Sequence, residues 1–259
     1  MEKRVQKVVL ALFSLFLLSE TSLFAQVASQ EDEIRIQIWA ELDEFPGSFE
    51  EDAVGGGEDE NFSPVQDPEN PKETEVESED SRLEPFRFAI DRAKEITPYL
   101  LSGMLNGWSF EYTPSDKKRR VEEFFEIIPL KTFDKSVNKI YYRNITVEDS
   151  KLTFWAFCQR TGGQKILYQR WNSISYPKVK GMGQASVEKG FEGIQEACHN
   201  AVKNGVREYW RVYEKNKPKE ISGSILIIGN PRIYIKQGNY FVDLDFFMET
   251  DRIIKYSLY

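Results

Sequence analysis

Residues 187–212 read VEKGFEGIQEACHNAVKNGVREYWRV, and the spacing of their apolar and small side chains is the strongest structural pattern in the chain. These side chains recur every three or four residues, which places them on one stripe of a helix of about 28 residues. The middle of the stripe holds Cys198, Ala201 and Gly205, which are small enough to let a helix approach a sheet closely. The pattern therefore predicts a helix at about 185–215 that packs on a β-sheet.

Alternating apolar side chains on both sides of this helix predict the strands of that sheet. The candidate strands are residues 108–112, 121–128, 139–147, 151–159, 164–174, 221–228, 231–237 and 239–248. Turn-forming residues at 160–163 and at 229–231 separate neighbouring candidates. A second main helix is predicted at about 86–105. The expected fold is therefore α+β, an antiparallel sheet packed by two main helices.

Charge divides the chain into segments that the formal net charge of -8 conceals. Residues 31–84 carry 20 Asp and Glu against three Lys and Arg, whereas residues 85–259 carry 28 Lys and Arg against 20 Asp and Glu. We expect residues 26–84 to be an acidic, mostly disordered arm, because they hold little apolar surface. Residues 85–259 form the predicted α+β domain.

The first 25 residues have the pattern of a signal peptide. Lys3, Arg4 and Lys7 precede an apolar run from Val8 to Leu18, which is too short to cross a bilayer. We expect cleavage after Ala25, the alternative being an uncleaved anchor. No later segment is apolar enough to span a membrane, so the mature chain is expected in the periplasm, without a transmembrane segment.

One short motif in the acidic arm departs from its polar composition. Residues 34–39 alternate, so Ile34, Ile36 and Ile38 share one side, and Trp39 follows them. Such a segment can add as a strand to a sheet edge. We expect these four residues to bind a partner, either the protein's own domain or another protein.

The two cysteines, Cys158 and Cys198, each lie in an apolar pattern. An oxidising compartment permits a disulfide between them, but each is equally suited to be a small buried residue. His199 is the one histidine in the chain and no Cys-x-x-Cys pair is present, which argues against a zinc site.

An anion site is predicted where Lys178, Lys180, Gly181 and Gly183 precede the long helix, since backbone amides and a helix N-terminus attract anions. The alternative is a plain loop before a helix capped by Ser186. The sequence predicts no catalytic residue, cofactor or metal, because it lacks a nucleophile-elbow motif and supplies too few ligands around Asp243 and Asp245.

The basic run from Lys117 to Arg120 is expected to meet an anionic partner. Export argues against nucleic acid, which leaves an anionic envelope component or the acidic arm itself, with a plain solvated turn as the alternative.

Three segments resemble conserved exported proteins of spirochaetes that have no assigned activity. These segments are residues 107–116 (GWSFEYTPSD), 216–220 (NKPKE) and 240–247 (YFVDLDFF). The resemblance implies a periplasmic setting beside the cell envelope or the periplasmic flagella. The expected function is a non-enzymatic periplasmic interaction or assembly protein, and the alternative is a binding module for a small anionic or lipidic ligand.

Overall fold

The computed structural model describes residues 32–42, 86–148 and 151–256. The predicted signal peptide and most of the predicted acidic arm lie outside these ranges. The elements in chain order are β1 (Glu33–Glu41), α1 (Arg87–Leu105), β2 (Trp108–Thr113), β3 (Phe124–Pro129), β4 (Ile140–Glu148), β5 (Lys151–Gln159), α2 (Gly162–Trp171), β6 (Lys178–Ser186), α3 (Gly190–Tyr213), β7 (Glu220–Lys236) and β8 (Asn239–Ile254). All strand pairs are antiparallel, so the predicted α+β class is confirmed.

The larger sheet has five strands in the order β3-β2-β7-β8-β6. One face of this sheet is covered by α1 and α3, the two predicted main helices. Strand β8 directs Tyr240, Val242, Leu244 and Phe246 into the core, and all four are buried. The intervening Asp243 and Asp245 lie on the other face, which is the alternation that the sequence predicts for a sheet with one packed face.

The smaller sheet has three strands in the order β1-β5-β4. Strand β1, the motif predicted within the acidic arm, pairs with β5 from Glu33 opposite Gln159 to Glu41 opposite Lys151. The indole N–H of Trp39 donates to the carbonyl of Ile233 in β7 over 2.7 Å, which ties the small sheet to the large one. The folded unit therefore includes a strand that the predicted boundary at residue 85 leaves out.

Helix α3 lies against β6 with backbone nearly touching backbone. A Cβ atom at Gly181 would overlap the carbonyl of Ala201, and one at Gly183 would overlap the carbonyl of Ala197 and the nitrogen of Ala201. The predicted close approach of helix and sheet is confirmed. The predicted glycine loop at 178–183 is wrong, because these glycines lie in a strand and make room for the helix.

Residues 164–174 are also not the predicted strand, since most of them belong to helix α2. A capping box begins this helix: the Thr161 hydroxyl accepts from the Gln164 backbone, and the Gln164 side chain accepts from the Thr161 N–H over 2.9 Å. The hairpin turn predicted at 160–163 is therefore a helix N-terminus.

A second predicted turn, at residues 229–231, is an irregularity within one long strand. Strand β7 continues through it and stays paired with β8 on both sides, with a register shift between Ile228 and Arg232.

Helix α2 contributes Trp171 to a small cluster with Leu226 and Phe247 on the face of the large sheet opposite α1 and α3. Strands β7 and β8 are thus covered on one face by α1 and α3 and, around Leu226 and Phe247, on the other face by α2.

Candidate functional site

The structure places the predicted partner-binding motif in the protein's own core. Ile34, Ile36 and Ile38 have at most 3% of their surface exposed, and Trp39 is half-buried against β7. Of the two docking modes predicted for this motif, the structure has the one on the protein's own sheet. In this position the three isoleucines present no surface to a second protein.

The residues of the predicted anion site do not converge. Lys178 and Lys180 are exposed on the face of β6 away from α3, and the Lys180 ammonium lies 3.7 Å from the Asp245 carboxylate. Gly181 and Gly183 lie on the opposite face, beneath α3. The helix backbone fills the space that a ligand at these glycines would need.

The two cysteines are free thiols in the structure, and both are buried. Cys158 belongs to β5 in the small sheet and Cys198 to α3. Burial raises the pKa of Cys158 to about 11 and that of Cys198 to about 12. At neutral pH both remain protonated, which makes them poor nucleophiles and metal ligands.

The remaining titratable candidates are dispersed. Asp243 pairs with Arg232 over 3.1 Å, and burial lowers the pKa of His199, which favours the neutral ring. In the part of the chain that the structure describes, no three His, Cys, Asp or Glu side chains form a group that would hold a metal ion.

Residues 117–119 of the basic run belong to a larger surface that we call the basic groove. It consists of two adjoining clefts of about 620 and 640 Å³ that share Ser115, Glu214, Lys215 and Lys217. Its walls carry eight cationic side chains and three carboxylates. The cations are Lys117, Lys118, Arg119, Arg207, Arg211, Lys215, Lys217 and Lys255, and the carboxylates are Asp116, Glu123 and Glu214.

Asp116 holds one wall of the basic groove in a closed turn. Its backbone N–H and carbonyl both bond to Val121, over 2.9 and 3.0 Å. Its carboxylate accepts from the backbone N–H groups of Lys118 and Arg119 and from the Arg119 guanidinium. The hydrogen bond from Arg119 is the main cause of the lowered pKa of Asp116. Lys117 and Lys118 are therefore exposed on a turn with a fixed backbone.

The opposite wall is formed by the C-terminal end of α3, the residues that follow it, and the end of β8. The Lys217 ammonium donates to the carbonyl of Ser115 over 2.6 Å and so joins the two walls. Lys255 pairs with Glu214 over 2.8 Å. The Arg119 guanidinium lies 4.1 Å from the ring centre of Tyr256.

Each carboxylate of the basic groove already has a cationic partner. Asp116 binds Arg119, Glu214 binds Lys255, and Glu123 accepts from the Tyr112 hydroxyl and lies 3.4 Å from Lys203. By contrast, Lys117, Lys118 and Lys215 form no ion pair with any carboxylate that the structure describes. Uncompensated cations in a cleft create a positive potential that attracts anions.

Sequence reasoning identified three of the eight cations of the basic groove. The run from Lys117 to Arg120 is visible in the sequence, and its prediction as an anionic contact concerns the same surface. The cations at 207–217 lie on or just after a helix, and Lys255 lies about 40 residues further on, so their convergence depends on the fold.

The fold and the groove together define an α+β protein with a basic cleft at the C-terminal end of α3. The chain belongs to a spirochaete-associated family of unassigned function, whose model matches residues 21–256. The predicted resemblance to spirochaete proteins is thereby confirmed. The chain is also similar to an uncharacterised protein of Treponema pallidum (strain Nichols), with 26% identity over 166 residues, 64% of this chain and 70% of the relative.

No solved structure matches the chain significantly. Over residues 32–42, 86–148 and 151–256, no helix is long and apolar enough to cross a membrane.

Proposed function

We propose that this protein is a non-enzymatic interaction or assembly protein of the periplasm, and that it binds an acidic protein of the cell envelope through the basic groove. One observation carries the proposal: the groove has eight cationic side chains against three carboxylates, and each of these carboxylates has a cationic partner. The unpaired lysines in the groove are left to bind an external anion.

The shape of the groove favours an extended partner. Its two clefts lie side by side and share four residues, so an acidic segment can contact both of them. Because Lys117 and Lys118 are exposed, each contact contributes modestly and depends on salt. Affinity in such a surface comes from several charges acting together, which a chain of carboxylates supplies.

The compartment is part of the same proposal. The amino-terminal sequence has the pattern of a signal peptide, and the expected export removes nucleic acid as the natural polyanion. Acidic proteins of the envelope, including components beside the periplasmic flagella, remain as partners with the required charge.

Reversing the unpaired lysines tests the proposal. We expect the triple variant Lys117→Glu, Lys118→Glu and Lys215→Glu to bind a fluorescent deca-glutamate peptide about 100-fold more weakly than the natural protein at low salt. Fluorescence anisotropy at low and at physiological ionic strength measures both the affinity and its salt dependence, and the natural protein should lose affinity as salt rises.

The matched control changes the same number of charges on another surface. Lys178, Lys180 and Lys236 are exposed outside the groove, and their triple reversal to Glu gives the same net charge. It should weaken binding several-fold at most. Equal losses in the two variants would mean that net charge, and not the basic groove, governs binding.

A small anionic or lipidic ligand is the second candidate, favoured by the composition of one cleft. Trp210, Pro218 and Ile221 line it beside the cations. The Trp210 indole nitrogen is buried and has no hydrogen-bond acceptor among the residues that the structure describes. Calorimetry with inorganic phosphate and with a short-chain phosphatidylglycerol distinguishes this candidate, since saturable binding of either one at one site per chain supports it.

A further inference from the structure

The three-stranded sheet has one covered edge and one open edge. Strand β1 is covered by β7, where the Gln37 N–H donates to the Asn230 side chain over 2.9 Å and Trp39 donates to Ile233. On the other edge, β4 pairs with β5 alone among the strands that the structure describes. Every second N–H and C=O of an edge strand points away from its sheet, so β4 offers unpaired groups on both sides of its register shift between Arg143 and Thr146.

Several side chains of β4 are apolar and exposed, which is unusual for an edge strand. Tyr141 is 51% exposed, Ile145 61% and Val147 50%. Natural edge strands are commonly protected by charges, proline or bulges, or covered by another segment, and β4 has one bulge at Asn144 beside Arg143. The exposed apolar side chains of β4 therefore indicate that another strand pairs with its open edge.

The surroundings of β4 indicate the charge of that neighbour. A groove of about 380 Å³ runs between the start of β4 and α1, and Lys94, Lys135 and Lys139 line it without a carboxylate. Lys94 pairs with Asp91 over 3.1 Å, but both side chains are more than 60% exposed, so this pair is weak. A strand added here would gain contacts with lysines if it carried carboxylates.

We propose that residues 73–79 of the same chain add to β4 as a fourth strand. Their sequence, ETEVESE, places Glu at every second position and Thr74, Val76 and Ser78 between them. A strand of this sequence has one acidic face, which suits the three lysines beside the start of β4, and one face of small side chains. This inference does not depend on the basic groove.

The length of the connection allows this pairing. Seven residue steps separate Glu79 from Phe86, and an extended chain covers about 23 Å in seven steps. Lys94 lies eight residues after Phe86, which is about 12 Å along α1. Residues 73–79 can therefore reach the groove beside β4 in the same molecule.

Hydrogen exchange of the full chain tests the pairing directly. We expect the outward-facing amides of β4 to exchange at least about tenfold more slowly in the natural protein than in the double variant Val76→Pro and Ser78→Pro, because proline cannot donate to a ladder. The control variant Gly57→Pro and Asn61→Pro places two prolines elsewhere in residues 43–85 and should keep the protection. Amides of β5 report that each variant is folded.

Three outcomes would overturn the inference. The first is equal exchange of the β4 amides in the natural protein and the Val76→Pro and Ser78→Pro variant. The second is loss of protection in the control variant as well. The third is protection that disappears on dilution, which would mean that a second copy supplies the strand.

Discussion

Replacing Gly183 with alanine is expected to lower the free energy of unfolding by about 3 kcal/mol, because a single added methyl group has no space between β6 and α3. The new Cβ atom would overlap backbone atoms of Ala197 and Ala201. Backbone in the middle of a packed helix cannot move aside as a side chain can. The overlap is removed only if α3 moves away from the sheet, and that movement loosens the buried contacts of Cys198 and Val202.

Urea unfolding followed by circular dichroism measures this change. Gly163→Ala in α2 is the matched control, since no atom lies within 4 Å of its added Cβ and alanine is a better helix former than glycine. The control should leave stability unchanged or raise it by up to about 1 kcal/mol. Similar stabilities for the two variants would contradict the close packing of α3 on β6.

Replacing Ile36 with alanine is expected to lower the free energy of unfolding by about 3 kcal/mol, because this side chain is fully buried in β1. The substitution removes apolar contacts from the core and leaves a cavity. The result bears on the whole strand, since Ile34 and Ile38 lie on the same face and β1 is paired with β5 along its full length.

Ile174→Ala is the control for Ile36, because Ile174 is fully exposed in the structure. The same urea titration should show a change within about 0.5 kcal/mol for this variant. If Ile36→Ala were equally mild, β1 would not be part of the folded core, and the motif would again be available to another protein.

The sequence predicts those elements whose side chains repeat with a clear period. The stripe around Cys198 and Ala201 predicts α3, and the alternation in β8 predicts its packed face, because in both cases burial follows local spacing. The same alternation correctly identifies residues 34–39 as strand-forming. Whether that strand pairs within its own chain is decided by long-range contacts, which spacing does not report.

The two clearest errors involve glycine. At residues 162–163 glycine indicates a turn, and the Thr161–Gln164 capping box that begins α2 outweighs it. At Gly181 and Gly183 it indicates a loop. Small side chains nevertheless recur at every second residue from Val179 to Ala185, which is the period of a strand. Glycine at these two positions makes room for α3, whose contacting residues lie 14 or more positions away in sequence.

The basic groove shows a further limit of local patterns. Lys118 is visible as part of a basic run, but its neighbours across the groove, Lys215 and Lys217, come from a different part of the chain. The closed turn around Asp116 and the hydrogen bond from Lys217 to Ser115 bring them together. Only the fold distinguishes a surface of this kind from an ordinary solvated turn.

The proposal that the basic groove binds an acidic envelope protein is tested most directly by crosslinking from inside the groove. A photoreactive amino acid at Lys118 would be activated in the native envelope, with the same group at exposed Lys236 as the control. The proposed function predicts a discrete crosslink to an acidic protein from position 118 alone, which weakens as ionic strength rises. The same products from both positions, or none from position 118, would contradict it.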